Sequence, residues 1–207
     1  MLKNVIIDPG HGGRHTGAVV KAQHVIDVEI PEKAINLIAS DILREQLESI
    51  GHKVYMTRTT DTHFSEGINM DLAARCVEPE GFDADCFVSV HCNWYKDPDV
   101  HGFEIWTSPG LTDADELADG IYLAVEDVVN PKMRPDLADG DYDREEHLYV
   151  LDHTTMPAVL LELDFMSNPE ALEKLTNHDY LERMMQAVAM GITSWAPDKK
   201  GVDTDAG

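Results

Sequence analysis

Basic residues are scarce in this chain. Only 16 of its 207 residues are Lys or Arg, against 39 Asp or Glu, which leaves a formal net charge of −23. A surface of that sign repels phosphate backbones and anionic bilayers, so nucleic acid and membrane are excluded as partners. Cysteine is nearly as sparse. Cys76, Cys86 and Cys92 are odd in number and carry no framework of spacings, so they read as reduced thiols rather than a disulfide scaffold. No apolar run approaches the roughly 18 residues a membrane helix needs. Met1 to Asn4 leads straight into Val5-Ile6-Ile7, without the basic segment and apolar stretch of a secretory signal. The expectation is therefore a protein made in the cytoplasm that reaches any external target by another route.

What is present fits one globular domain. A hydrophobic fraction of 43% beside 27% charge excludes a disordered or collagen-like chain. No internal repeat or linker divides it. Residues 1–196 read as the domain, expected to be a monomer, and the polar stretch 197–207 as a disordered tail.

Apolar runs alternate with helical patterns, which predicts an α/β fold: a twisted, mostly parallel sheet of about six strands flanked by helices. Val5-Ile6-Ile7, Lys53 to Arg58, Phe87 to His91, Gly102 to Thr107, Leu148 to Leu151 and Ala158 to Leu163 read as strands. Phe87, Ser89 and His91 then share one face. A helix of about 19 residues follows Ile30 and Pro31 and ends near Gly51, with Ile35, Ile38, Ala39, Ile42 and Leu43 as its buried stripe. Further helices are expected over Asp71 to Arg75, Asp115 to Val129 and Leu181 to Trp195. Residues 130–146, rich in acidic side chains and broken by Pro131, Pro135 and Gly140, read as an exposed loop.

His11, His91 and Glu162 each fall at or just past the end of a predicted strand, the edge of an α/β sheet where ligands bind. Two imidazoles and a carboxylate suit zinc. His11 lies in Asp8-Pro9-Gly10-His11-Gly12-Gly13, where glycines let the backbone turn tightly, though a glycine-rich loop with an incidental histidine has the same appearance. A core histidine bonded to a carbonyl would equally explain His91. Glu162, inside Val159-Leu160-Leu161-Glu162-Leu163, is costly to bury without a cation or hydrogen-bond partners, so its placement asks for a functional explanation, with a buried arginine pair as the alternative. Glu32 shares the buried phase of its helix with Ile35 and Ala39, which favours it over Glu29, although a first-turn glutamate stabilised by the helix dipole looks the same.

These residues sit in an ordered set of short blocks. They are Ile6 to Gly13, Glu32 to Leu37, Thr57-Arg58, Ser89 to Asn93, Gly102-Phe103-Glu104 and Pro157 to Asn168. Together they resemble the zinc-dependent N-acetylmuramoyl-L-alanine amidases of the amidase-3 type. The resemblance spans about residues 4–195 and implies Zn2+ held by His11, Glu32 and His91, with Glu162 catalytic rather than a ligand. It also implies peptidoglycan as substrate, cut between N-acetylmuramic acid and the L-alanine of the stem peptide. Glu162 would take a proton from the attacking water and return it to the leaving amine. With no export signal, such an enzyme reads as a phage endolysin. An inactive wall-binding or regulatory module of the same fold is the alternative. One departure is Asp164, where the family commonly has glycine.

Supporting roles follow less directly. Asp8 is a candidate acceptor for the free N–H of His11, Asn93 for orienting a ligand or the substrate amide, and Arg58 and Arg75 for pairing with stem carboxylates. Each also fits a plain structural role. Cys92 beside His91 raises a thiol nucleophile, but neighbours on a strand point to opposite faces. Asp139-Gly140-Asp141-Tyr142-Asp143 lacks the full calcium-loop pattern and reads as a solvated acidic loop.

Overall fold

The computed structural model describes residues 1–21, 28–138 and 140–196. The elements in chain order are β1 (Asn4–Pro9), β2 (Val19–Lys21), β3 (Glu29–Pro31), α1 (Glu32–Ser49), β4 (Lys53–Met56), α2 (Ile68–Arg75), β5 (Cys86–Asn93), β6 (Glu104–Thr107), α3 (Asp115–Val128), β7 (Arg144–Glu145), α4 (Tyr149–His153), β8 (Ala158–Phe165), α5 (Pro169–Leu175) and α6 (His178–Ser194). Six strands form one sheet in the order β4-β1-β5-β8-β6-β7, and β2 pairs with β3 in a separate antiparallel ribbon. β4, β1, β5 and β8 run parallel, while β6 is antiparallel to β8. The mostly parallel α/β sheet is as expected.

The central strands β1, β5 and β8 are buried on both faces, which is why they are mostly apolar. Val5, Ile7, Val88, Val90, Leu161 and Leu163 point into the larger core with α1, α3 and α6, and the alternate residues Ile6, Phe87 and Leu160 meet α4 and the edge of α2. His91 follows Phe87 and Ser89 in strand phase, so it emerges on the second face, as its spacing predicts.

Several expectations change. Leu148 to Leu151 is not a strand: Tyr149–His153 is a short helix. A four-residue apolar run does not distinguish a buried strand from a buried helical turn. Ile38 does not belong to the buried stripe of α1, since it is 49% exposed. At about 100° per residue it lies some 120° from the middle of the arc through Ile35, Ala39, Leu43 and Leu47. Ile30 and Pro31 do precede α1, which starts at Glu32, and they belong to β3.

Residues 130–146 are not simply an exposed loop. Tyr142 stacks on Tyr122 at 4.7 Å between ring centroids, and Asp143 is buried, accepting a short hydrogen bond from the Thr107 hydroxyl. Asp139 and the stretch 197–207 lie outside the described residues, so the tail and the complete acidic-loop reading lie outside them too.

Candidate metal centre

Backbone geometry brings the three expected ligands together. β1 ends at Pro9, and the chain turns through Gly10 into His11, whose φ of 62° is left-handed. Gly10 is where the chain comes closest to its neighbour: a Cβ there would lie 2.2 Å from the imidazole of His91. Only glycine lets these two histidines converge. Their rings meet edge-on, with centroids 4.9 Å apart.

Glu32 reaches them from the first turn of α1. No side chain caps this helix. Instead the Glu32 and Lys33 N–H groups donate to the carbonyls of Ala18 and Thr16, and the Ala18 N–H donates back to Glu32 Oε2 at 3.0 Å. Glu32 Oε2 lies 3.1 Å from His11 Nε2, and Oε1 lies 3.0 Å from His91 Nδ1. Asn36, one turn on, donates to Oε1 at 3.1 Å and braces the carboxylate against the Gly10 carbonyl. One donor atom from each of His11, Glu32 and His91 falls within 4.8 Å of the others. Glu29, the rival glutamate, is exposed on β3.

The electrostatics follow from burial. Desolvation alone would raise the Glu32 pKa, but the hydrogen bonds from both imidazoles outweigh it and hold the carboxyl well below the ordinary range. Burial pushes His91 down, and its bond to Glu32 more than reverses this, so its net displacement is upward. Two imidazoles and a carboxylate with one possible ligand atom each, gathered within 4.8 Å, are a set that fits zinc.

Glu162, on β8, stands directly across from His91 on β5. Its Oε2 is enclosed without a hydrogen-bond partner. Desolvation, opposed by His91 and reinforced by Glu32 and Glu104, pushes its pKa up to about 8. Among the described residues no buried arginine pairs with it. Beside the histidines lies a cavity of about 190 Å³, walled by Leu148, Tyr149 and Val150 on one side and Ile68 and Leu72 on the other.

The supporting residues serve the scaffold. Asp8 does not bond His11; its carboxylate accepts from Thr57, Arg75 and Ser89. Arg75 donates to the carbonyls of Pro9 and His11 and pairs with Asp71, while Arg58 donates to the carbonyls of Pro9, Gly10 and Lys33. Both arginines are buried and hold the ligand loop in shape, which occupies the donors a stem carboxylate would need. Asn93 bonds Glu104 at 3.0 Å. Asp164 neither faces solvent nor joins the cluster: it is buried and accepts the N–H groups of Gly102 and Phe165. Cys92 lies on the opposite face from His91, 2% exposed, and burial holds its thiol pKa well above normal, which makes it a poor nucleophile.

Sequence reasoning gave no role to Glu104, which is buried, takes Nε of Arg134 at 2.7 Å and faces Glu162 across the sheet. The available signal was the one that exposed Glu162: a carboxylate in an apolar strand.

Comparisons with known proteins bear on the family and the fold. The family described as N-acetylmuramoyl-L-alanine amidase matches residues 5–194. A crystal structure of N-acetylmuramoyl-L-alanine amidase from Clostridium difficile 630 is 30% identical, covering 95% of this chain and 97% of that one, with a TM-score of 0.78. N-acetylmuramoyl-L-alanine amidase LytC of Bacillus subtilis is 26% identical over 93% of this chain and 35% of its own length. The probable cell wall amidase LytH of Staphylococcus aureus is 27% identical over 92% of this chain and 57% of its own. The chain thus spans about a third of the first of these two relatives and over half of the second.

Proposed function

The chain belongs to the N-acetylmuramoyl-L-alanine amidase family, and from that premise we propose that it is a zinc-dependent peptidoglycan hydrolase cutting the amide between N-acetylmuramic acid and the L-alanine of the stem peptide. The single observation that carries this reading is the convergence of His11, Glu32 and His91 beside an unpartnered Glu162.

His11, Glu32 and His91 would hold the zinc, which supplies acidification of a bound water and polarisation of the scissile carbonyl. The residues around them do the rest. Ala18 and Asn36 fix Glu32 so that both of its oxygens face the imidazoles. Arg58 and Arg75 keep the Pro9 to His11 backbone in its left-handed turn by bonding its carbonyls. Glu162 takes the proton of the attacking water and delivers it to the departing amine of L-alanine. Its place opposite His91, with Oε2 unbonded, leaves it free to carry that proton from the first step to the second. The retention of all four residues in one constellation favours turnover over an inactive module.

The test is digestion of purified peptidoglycan followed by mass spectrometry. Free L-alanine amino termini on intact stem peptides are the expected products, abolished by a chelator and restored by zinc. New reducing sugar ends would overturn the reading. The endolysin setting is part of the proposal: intracellular expression should lyse cells only when the membrane is also permeabilised, and lysis without permeabilisation would reject it.

A further inference from the structure

In a chain with so few cations, each one near the catalytic edge invites the question of what it faces. Arg58 and Arg75 are 3% and 2% exposed and bonded to the chain's own carbonyls and carboxylates. Arg134 differs. Its backbone N–H is tied to the Phe103 carbonyl, its Nε donates to Glu104 at 2.7 Å, and its guanidinium lies over the Phe165 ring at 5.3 Å. The side chain is nevertheless 29% exposed. Its two Nη groups have no acceptor among the described residues and are not enclosed, so they meet solvent.

Glu104, which anchors Arg134, is the cross-strand partner of Glu162 and also takes a bond from Asn93, two residues past His91. Neighbouring strands lie about 4.8 Å apart, and an extended peptide advances about 3.5 Å per residue. A guanidinium one strand beyond Glu162 is therefore at the distance of a group one or two residues along a peptide whose scissile amide lies at Glu162. With its Nε occupied and its Nη pair open, it keeps the planar donor edge that suits a carboxylate.

The geometry points to Arg134 as a specificity residue that binds a carboxylate of the stem peptide one or two residues past L-alanine. This rests on the amidase reading above. The carboxylate belongs either to the second or to the third residue of the stem, and amidation of one or the other distinguishes them.

The experiment uses synthetic N-acetylmuramoyl tripeptides in which the free carboxylate of the second residue, of the third, or of both is converted to a primary amide. The zinc-loaded protein should prefer the free carboxylate at one of these positions. Arg134→Gln should cut that preference, read as a ratio of kcat/KM values, about tenfold and through KM, with Arg134→Lys restoring part of it. Calorimetry of the tripeptides on Glu162→Gln, with and without Arg134→Gln, should show the same selective loss of affinity. A uniform fall in kcat with an unchanged preference would overturn the proposal and leave Arg134 as a counter-charge for Glu104. If the wild-type protein cleaves none of the compounds, the amidase reading fails, and calorimetry still decides whether Arg134 selects the carboxylate.

Discussion

Glu162 and His91 are partners across two parallel strands, so one carboxylate lies beside the ligand cluster without joining it. Replacing Glu162 by Gln keeps its shape and removes its basicity. We expect zinc content to stay near one per chain while hydrolysis falls by a factor of about 10² to 10⁴, measured by metal analysis and by product release from peptidoglycan. Loss of the metal would make it a ligand. Glu32→Gln and Glu29→Gln form the matching pair: the first should deplete zinc and the second leave it in place, as their buried and exposed positions imply. The residues named from sequence at this scale were those whose chemistry conflicts with their surroundings, a glutamate among leucines and a histidine among glycines. Arg58 and Arg75 carry no such conflict in the linear chain, and their roles depend on backbone carbonyls more than fifteen residues away.

Among the elements, α2 is tied to β1 by charge. Arg75 bridges Asp71 and Asp8, and all three are buried. Burial raises the Asp71 pKa, but the bond from Arg75 and the N–H groups of Phe64 and Ser65 overcome this, so its net displacement is downward. A carboxyl lowered on folding contributes stability that is present above its unfolded value near 3.8 and is lost as pH falls through the folded one. Asp71→Asn should therefore cost about 3 kcal/mol at neutral pH and flatten the loss of stability below about pH 4, followed by urea unfolding across that range. On the other face α3 and α6 cross closely. A Cβ at Gly191 would lie 2.5 Å from the Cα of Ile121, so Gly191→Ala should force the helices apart at a cost of about 1–3 kcal/mol, visible as a lower Tm. The periodicity of α1, α3 and α6 was readable because each buries one stripe against one surface. That of α4 was not, because five residues are too few to display a period.

For the whole molecule, a net charge of −23 means that the folded state works against its own field. Added salt screens this repulsion, so Tm should rise between about 0.01 and 0.5 M NaCl; a flat response would show that the charge is already paired locally. Composition and the order of apolar runs pointed to the α/β class, to the mostly parallel sheet and to His11, Glu32, His91 and Glu162 as candidates, because each is a property of local pattern: strand alternation, helical phase, or a polar group in an apolar run. Only the tertiary structure decided that His11, Glu32 and His91 meet, that Asp164 latches a turn and that Arg134 stands beside Glu104. Those facts depend on strand order and on the way α1 and the chain after α3 return to the sheet. Such long-range contacts are chosen by the packing of the whole chain rather than by any segment of it.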